Sequence, residues 1–347
     1  MFTELLEKVT TPHGIDRYLE LVHPMLTVRE LRAEVTDVHR STSDSVTLTL
    51  RPTRQWRGFI AGQFVRVTVD IDGVRRSRCY SPACSEHRSD GRIELTVKAH
   101  LGGLVSRYLH TRARAGLVVG LSQADGSFTL PVPRPPRILL ISGGSGITPV
   151  LSILRTLCDE DYPGEVTFLH YASGESAVPY LKELRSLAAH RNVRLVLSYP
   201  GAHGYFGLEP LRAAEPAFAA ARTYLCGPPG LMRAVRDVYA AQRLSEQLHT
   251  EEFTPAPVPA DGSATGQVSF ARSDVRAANS GQTLLEQAES AGLRPEHGCR
   301  MGICFSCTQI KRSGCVRDIR SGELRSEEDE EVQLCVSVPV GNVAIDI

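Results

Sequence analysis

The 347-residue chain carries no net charge, with 39 basic against 39 acidic side chains. No overall field therefore draws it to nucleic acid or to an anionic membrane, and neither is expected as a partner. It has no apolar run long enough to cross a bilayer, and it does not open on the charged segment and apolar core of a secretory leader. No internal repeat shows at a fixed period, which argues against a solenoid. Disulfide pairing cannot use every thiol, because the nine cysteines are odd in number. With no leader, that points to reduced thiols and a cytoplasmic location, any membrane being reached only through a partner. What remains is an ordinary globular composition, long enough for two or three domains that each bury a core.

The most informative stretch is 298-GCRMGICFSC-307, followed twenty-eight residues later by Cys335. Cys299, Cys304 and Cys307 stand in the spacing C-x4-C-x2-C, and with a distant fourth cysteine this is the ligand pattern of a plant-type [2Fe–2S] cluster. A short loop must wrap a compact cluster with its amides toward the sulfurs, and Gly298 and Gly302 supply the freedom for that. A four-cysteine zinc site is the competing reading. Structural zinc usually draws its ligands from two C-x2-C-like pairs, and only one such pair is present. Cys79, Cys84, Cys158, Cys226 and Cys315 are left over, and most read as small buried hydrophobes.

Residues 1–33 read as short helical pieces broken by Thr11-Pro12 and His23-Pro24, packing on the body of the protein. From 34 to 132 the runs 45-SVTLTLRP-52, 63-QFVRVTVDI-71, 93-IELTVKA-99 and 117-LVVGLSQ-123 alternate and are rich in β-branched residues. Asp72-Gly73 and other glycines punctuate them, so an antiparallel sheet closed as a small β-barrel is expected. From 133 to 253 strands alternate with helices, beginning with the continuous apolar strand 137-RILLIS-142. That order predicts an α/β domain on a parallel sheet. Residues 254–265 read as a proline-containing linker. Residues 266–347 form a small third domain of short strands and one helix near 283-TLLEQAESAGL-293, enclosing the cysteine loop.

Within this frame several short motifs carry chemistry. Arg78-Cys79-Tyr80-Ser81 offers a fork for phosphate, an aromatic face for a flat ring and a neutral hydroxyl donor. Standing alone it reads rather as a tyrosine on a strand packed in a core. The segment 102-GGLVSRYLH-110 joins bare backbone amides to a helix start and a hydroxyl, an anion-binding arrangement, although glycines at an ordinary turn would look the same. Gly143-Gly144-Ser145-Gly146-Ile147-Thr148-Pro149 joins the buried strand to a helix, with Thr148 expected as N-cap and Pro149 as the first helical residue. It is not G-x-G-x-x-G, since Pro149 replaces the last glycine. Cys226-Gly227-Pro228-Pro229 closes the last strand of the α/β region and reads otherwise as a buried thiol. The acidic run 327-EEDEE-331 behind Ser326 is what a helix N-terminus prefers, with a docking patch as the other reading.

Taken together and in this order, these motifs resemble the ferredoxin reductase-type flavoprotein superfamily with a plant-type ferredoxin domain fused at the C-terminus. The likeness runs from about Glu34 to Ile347. It implies an FAD-binding barrel, an NAD(P)H-binding α/β domain and a β-grasp [2Fe–2S] domain. It implies further that Tyr80 stacks on the isoalloxazine, that Ser81 approaches N5 and that Arg78 binds a flavin phosphate. Gly103, Leu104, Val105 and Ser106 would hold the flavin pyrophosphate, with backbone contacts from Val97 and Lys98. Gly143, Gly144, Gly146, Thr148 and Pro149 would hold the nicotinamide dinucleotide. Cys226, Gly227 and Pro228 would lie by the nicotinamide, the cysteine aligning C4 with N5. Glu252-Phe253 resembles a carboxylate–aromatic pair set against the flavin. Cys299 and Cys304 would bind one iron, Cys307 and Cys335 the other. Phe305 departs from the small residue usual at its position and is expected to alter solvent access to the cluster. The segment 12-PHGIDRYLELVHP-24 resembles actinobacterial reductases that serve membrane acyl-CoA desaturases.

A nicotinamide gives up two electrons at once and a [2Fe–2S] cluster accepts one, so a converter must stand between them, and flavin is that converter. The expected protein is an NAD(P)H-dependent reductase, acting as a monomer. It would pass electrons from nicotinamide through FAD and the cluster to a terminal di-iron acyl-CoA desaturase or similar oxygenase, without a general acid in the hydride step. The alternative client is a soluble ring-hydroxylating oxygenase or an acyl-CoA epoxidase. A redox-sensing protein that uses the cluster as a switch would not need a nicotinamide site beside a flavin site. Ser173 and Lys182, after the strand 166-VTFLHYA-172, favour NADPH over NADH, while Glu175 speaks for NADH. Replacing Cys335 by Ser should abolish the visible cluster spectrum, whereas Cys315→Ser should leave it intact; equal loss in both would overturn the ligand set.

Overall fold

The structure, a computed structural model, describes residues 15–100, 103–253, 264–298, 300–302 and 305–347. The expected helical pieces before residue 15, the linker through residue 263, Gly102, Cys299 and Cys304 lie outside the described residues.

Six strands form the first sheet: β1 (Arg32–Thr42), β2 (Ser45–Pro52), β3 (Val65–Ile71), β4 (Val74–Tyr80), β5 (Ile93–Lys98) and β6 (Val118–Leu121). Their order is β4-β3-β6-β1-β2-β5, antiparallel throughout. Alternation sends Val65, Val67 and Val69 inward with Leu48, Leu50, Leu95 and Val97. Asp72 and Gly73, both at positive φ (54° and 77°), make the two-residue hairpin turn between β3 and β4. Just past β4, Pro82 bridges to Leu95 of β5 and closes the barrel.

The helix Ile15–Val22 is fastened to this barrel. The Asp16 carboxylate accepts the amides of Val28, Arg29 and Glu30 at 2.5, 2.9 and 2.7 Å. Burial pushes its pKa up, but those amides and nearby Arg32 hold the carboxyl below its ordinary range. Arg32 is itself buried at the start of β1 and donates to Glu30, Glu20 and the Pro24 carbonyl.

The second sheet consists of β7 (Arg137–Gly143), β8 (Glu165–Tyr171), β9 (Val193–Ser198), β10 (Arg222–Cys226) and β11 (Leu248–Glu251). The order β11-β10-β7-β8-β9 is parallel throughout, and β7, buried along nearly its whole length, lies at its centre. Strands are added first on one side of β7 and then on the other. The strand order therefore reverses between β7 and β10, and ligands of open α/β sheets bind at the carboxyl ends beside such a switch.

The barrel and parallel sheet make one compact unit, and the chain from Glu252 onward makes another. The second unit is a mixed sheet of β12 (Gln267–Phe270), β13 (Val275–Ala278), β14 (Thr308–Asp318), β15 (Leu324–Arg325), β16 (Glu330–Gln333) and β17 (Ser337–Ile345). β12 and β17 run parallel and the other pairs antiparallel, the β-grasp arrangement. Helix Leu284–Ser290 opens on a capping box between Thr283 and Glu286 and packs Leu284, Leu285 and Ala288 onto the sheet.

The acidic run does not begin a helix. The chain turns at Asp329 (φ 52°) and enters β16, which pairs with β14. Charges on β14 outweigh the local preference. Fully buried Lys311 donates its Nζ to the carbonyls of Glu327 and Gly314 and stands 3.7 Å from the Glu330 carboxylate, while Arg312 pairs with Asp329 at 2.7 Å. Among the described residues, no helix is long and apolar enough to cross a membrane.

Candidate functional site

β7 ends at Gly143, a tight turn spans Gly144–Gly146, and the helix Ile147–Asp159 follows. The N-cap is Gly146. Thr148 is the second helical residue, its hydroxyl donating to the Ser145 carbonyl at 3.4 Å, and Pro149 is the third. The expected cap thus moves back two residues, because the turn runs straight into the helix; Pro149 still lies in the first turn, where an amide has no helical acceptor to lose. The glycines have separate reasons. A Cβ on Gly146 would collide with the Cys226 carbonyl, and one on Gly143 would press on Pro228 and Leu231. Gly144, at φ 53°, has open space before it, so a phosphate can approach its backbone. The loop is thereby laid against Cys226-Gly227-Pro228 at the end of β10, with Pro228 capping the helix Pro229–Ala241. Cys226 is fully buried. Beneath the loop, Ser142 bonds His170 Nδ1 at 2.8 Å, and burial pulls that imidazole down to about 4, so it adds no charge at neutral pH.

The barrel supplies a second face. Tyr80 ends β4 with its ring against the barrel core and Ser81 is buried just after it. Enclosure raises the Tyr80 pKa, so the phenol stays neutral. The Ser81 hydroxyl is 3.5 Å from the carboxylate of Glu251, the last residue of β11, whose backbone pairs with Cys226. Sequence reasoning named Glu252 and passed over Glu251. Burial of the Glu251 carboxyl lifts its pKa to about 8, with Ser81 opposing, so it holds its proton at neutral pH. Glu252 and Phe253 follow in the second compact unit and are both half-buried.

Other singled-out residues lie around these two faces. Gly103 caps the helix Leu104–Arg112, and the hydroxyl of buried Ser106 turns back to the Gly103 carbonyl (3.2 Å) and the His100 amide (3.3 Å), locking the turn. Val105 is buried and Leu104 exposed. Val97 lies in the barrel core, while Lys98 pairs with Asp44 at 3.1 Å. Arg78 stands two residues before Tyr80 in β4 and donates to the Ser77 carbonyl at 2.8 Å. Ser45, Thr96 and Lys98 of the barrel face Gly144, Ser145 and Thr148 of the glycine loop across one cleft. Ser173 is exposed beyond β8, and Glu175 is paired with Arg185 at 2.5 Å.

In the second unit, Cys307 and Cys335 are buried side by side in the core, joined through the Leu334 amide donating to the Cys307 carbonyl at 3.1 Å. The loop before them bends through positive φ at Arg300, Gly302 and Phe305. Arg320, forked on Asp318, pins that loop by donating to the Gly302 carbonyl at 2.5 Å. Two cysteines buried in one core beside a tightly bent loop fit one half of a thiolate-held cluster. Phe305 is 65% exposed. Elsewhere Glu86, His87 and Glu160 approach one another as metal ligands would. The Arg134 guanidinium, forked on Glu160 at 3.0 and 2.6 Å and 3.6 Å from Glu86, already supplies their cation.

A barrel whose Tyr-Ser edge meets the switch point of a parallel sheet, joined to a β-grasp unit with a cysteine loop, defines a flavin- and nicotinamide-dependent iron–sulfur reductase. The family comparisons agree along the chain. Residues 32–130 match the oxidoreductase FAD-binding domain, 140–237 the oxidoreductase NAD-binding domain, and 270–340 the 2Fe-2S iron-sulfur cluster binding domain. An NADPH oxidoreductase of Mycobacterium tuberculosis is 37% identical, covering 99% of this chain and 91% of its own length. A glycine betaine monooxygenase reductase subunit of Pseudomonas aeruginosa is 28% identical over 83% of this chain and 87% of its own. Among solved structures, phthalate dioxygenase reductase shares the fold at a TM-score of 0.63, with 24% identity over 92% of this chain and 98% of its own. The chain belongs to the family of FAD- and NAD(P)H-dependent oxidoreductases that carry a 2Fe-2S domain. Its cofactors are FAD, NAD(P)H and a [2Fe–2S] cluster.

The Glu251 proton gives a signed prediction. The unfolded chain releases it near the ordinary value of 4.5 and the folded chain near 8. Its stabilising contribution is complete below the lower value and is lost as pH rises to the upper one, at up to about 1.4 kcal/mol per pH unit. Urea unfolding should therefore show the wild type losing stability relative to Glu251→Gln between about pH 5 and about pH 8. A constant difference across that range would refute the buried, protonated carboxyl.

Proposed function

We propose that the chain takes electrons from NADPH and delivers them singly, through FAD and the cluster, to an iron-containing terminal oxygenase. The observation that supports it most is the meeting of two strand ends: β11 sets Glu251 beside Cys226 and brings its carboxyl to Ser81. That places residues from the flavin-type barrel and from the nucleotide-binding switch point around one spot, as a direct transfer between stacked rings requires. Bound FAD supplies the conversion from two-electron to one-electron chemistry.

This chain's own residues do the positioning. Tyr80 offers a neutral aromatic face and Arg78 a phosphate fork. Ser81, backed by protonated Glu251, offers a neutral hydroxyl donor. Gly144 exposes its backbone to the nucleotide phosphates, and Cys226-Gly227-Pro228 walls the nicotinamide side. Gly103 and Ser106 shape the turn for the flavin pyrophosphate, with Val97 and Lys98 beside it. Cys299, Cys304, Cys307 and Cys335 hold the cluster. The oxygenase reading draws on the monooxygenase reductase subunits among the relatives. A di-iron acyl-CoA desaturase is the second reading. It rests on the resemblance of residues 12–24, a region within the 99% of this chain that the 37%-identical relative covers.

NADPH is the expected donor. Glu175 is engaged by Arg185, which weakens its claim on a ribose hydroxyl, while Ser173, just past β8, and Lys182, in the first turn of the helix Leu181–Leu187, are both exposed. The kcat/KM for NADPH should exceed that for NADH, and Lys182→Ala should lower the NADPH value by about tenfold with little effect on NADH. The reverse order in the wild type would assign NADH.

The direction of flow is testable through the two compact units. A protein ending at Phe253 should retain flavin and reduce ferricyanide with NADPH, yet fail to reduce cytochrome c or to support a reconstituted oxygenase. Equal support of the oxygenase by the truncated and full chains would show that the cluster is not the exit.

A further inference from the structure

The helix Ile147–Asp159 starts at the glycine loop and turns one face to the barrel. Residues three and four apart share a helix face, and Ser152, Arg155 and Thr156 are such a set. The Ser152 hydroxyl donates to the Cys84 carbonyl at 2.7 Å, Arg155 Nη1 donates to the Ala83 carbonyl at 2.6 Å, and Thr156 Oγ1 accepts the Glu86 amide at 3.2 Å. Residues 83–86 directly continue the segment that carries Tyr80 and Ser81. The element that opens on the nucleotide loop thus holds the backbone behind the flavin-facing residues.

Arg155 makes further contacts. Nη1 also reaches Glu94 of β5 at 2.7 Å, while Nε and Nη2 fork onto Glu183 at 2.6 Å each. The guanidinium plane lies 4.8 Å over the ring of Tyr180. Tyr180 adopts a left-handed backbone (φ 60°), uncommon for an aromatic residue, and from there its hydroxyl bonds Thr96 of β5 and lies 3.4 Å from Thr47 of β2. One side chain, only 13% exposed, therefore ties the barrel strand β5, the Tyr-Ser segment and the connection after β8. A lysine could not replace it, because a point charge cannot fork on one carboxylate while bonding a carbonyl and a second carboxylate.

We propose that Arg155 is a positioning residue for hydride transfer, fixing the distance and angle at which the nicotinamide half meets the flavin barrel. The inference rests on the NADPH-to-flavin reading above and concerns geometry alone. A displacement of about 1 Å at reacting centres costs on the order of a hundredfold in rate, so a clamp at this junction acts on the transfer step more than on nucleotide affinity.

The test uses the full chain carrying flavin and cluster, in Arg155→Leu, Arg155→Lys and Tyr180→Phe forms. Anaerobic stopped-flow at saturating NADPH should show flavin reduction in Arg155→Leu slowed by about tenfold to a hundredfold, and a larger deuterium isotope effect with 4-deuterated NADPH. Arg155→Lys should be slowed in the same direction. Binding of NADP+, by spectral titration, should stay within about twofold of wild type. In the flavin-free protein, hydrogen exchange at the Ala83 and Glu86 amides should quicken by about tenfold, a readout that needs no turnover. A saturating rate within about twofold of wild type, or a loss confined to NADP+ affinity, would overturn the proposal. Should Arg155→Leu fail to fold or load flavin, Arg155→Lys and Tyr180→Phe decide between the outcomes: slowed reduction with unchanged NADP+ binding supports the clamp, and an unchanged rate overturns it. Failure of NADPH to reduce the wild-type flavin would instead defeat the donor assignment.

Discussion

The working end of the first compact unit depends on a place where no side chain fits. Gly146 lies so close to the Cys226 carbonyl that any Cβ would collide with it. That contact fixes the glycine loop to the end of β10, and through the pairing of β10 with β11 it fixes where Glu251 emerges. The placing of the glycine loop, the buried thiol and the enclosed carboxyl follows from one close approach between backbones. Side-chain chemistry enters afterwards, on a frame that main-chain packing has already set.

Charge is handled in one way around the meeting point of the first compact unit and in another within the second. In the first, ionisable groups around the meeting point are kept neutral by burial, which raises the Tyr80 and Glu251 pKa values and lowers that of His170. A neutral surround suits a reaction in which a hydride passes between two rings and no side chain need change its charge. In the second unit the visible strategy is pairing. Buried Lys311 satisfies two carbonyls, Arg320 ties the cysteine loop to Asp318, and Arg312 links Asp329 to Asp346. Such pairs stiffen a small fold whose loop must present sulfur at fixed positions.

Much of this was legible in the chain because the signals are local. Alternation in 63–71 and the unbroken apolar run at 137–142 foretell a half-buried and a fully buried strand, and cysteine spacing marks the metal loop without reference to any neighbour. The features that escaped depend on partners far away in sequence. Glu251 and Glu252 are indistinguishable as letters. Only the register of β11 on β10 decides which carboxyl turns toward Ser81, and a shift of one residue reverses the choice. The acidic run looks like a helix start until Lys311, some sixteen residues earlier, claims the Glu327 carbonyl. Thr148 has the chemistry of a cap, yet the turn before it takes that position. Arg155 carries no motif, since its meaning lies in Ala83, Glu94 and Glu183.

The segment ahead of the barrel has a practical consequence for anyone trimming the protein. Asp16 gathers three amides, and Arg32, the first residue of β1, draws on Glu20, Pro24 and Glu30. A start site chosen at the edge of the recognised flavin domain would remove the acceptors of Arg32 and, with them, Leu31, which packs on the barrel core and takes the Leu121 amide at 2.9 Å, so the end of β1 would be opened to water. The boundary drawn by homology and the boundary at which the chain can be cut are therefore different places, separated by at least the stretch from Asp16 to Arg32.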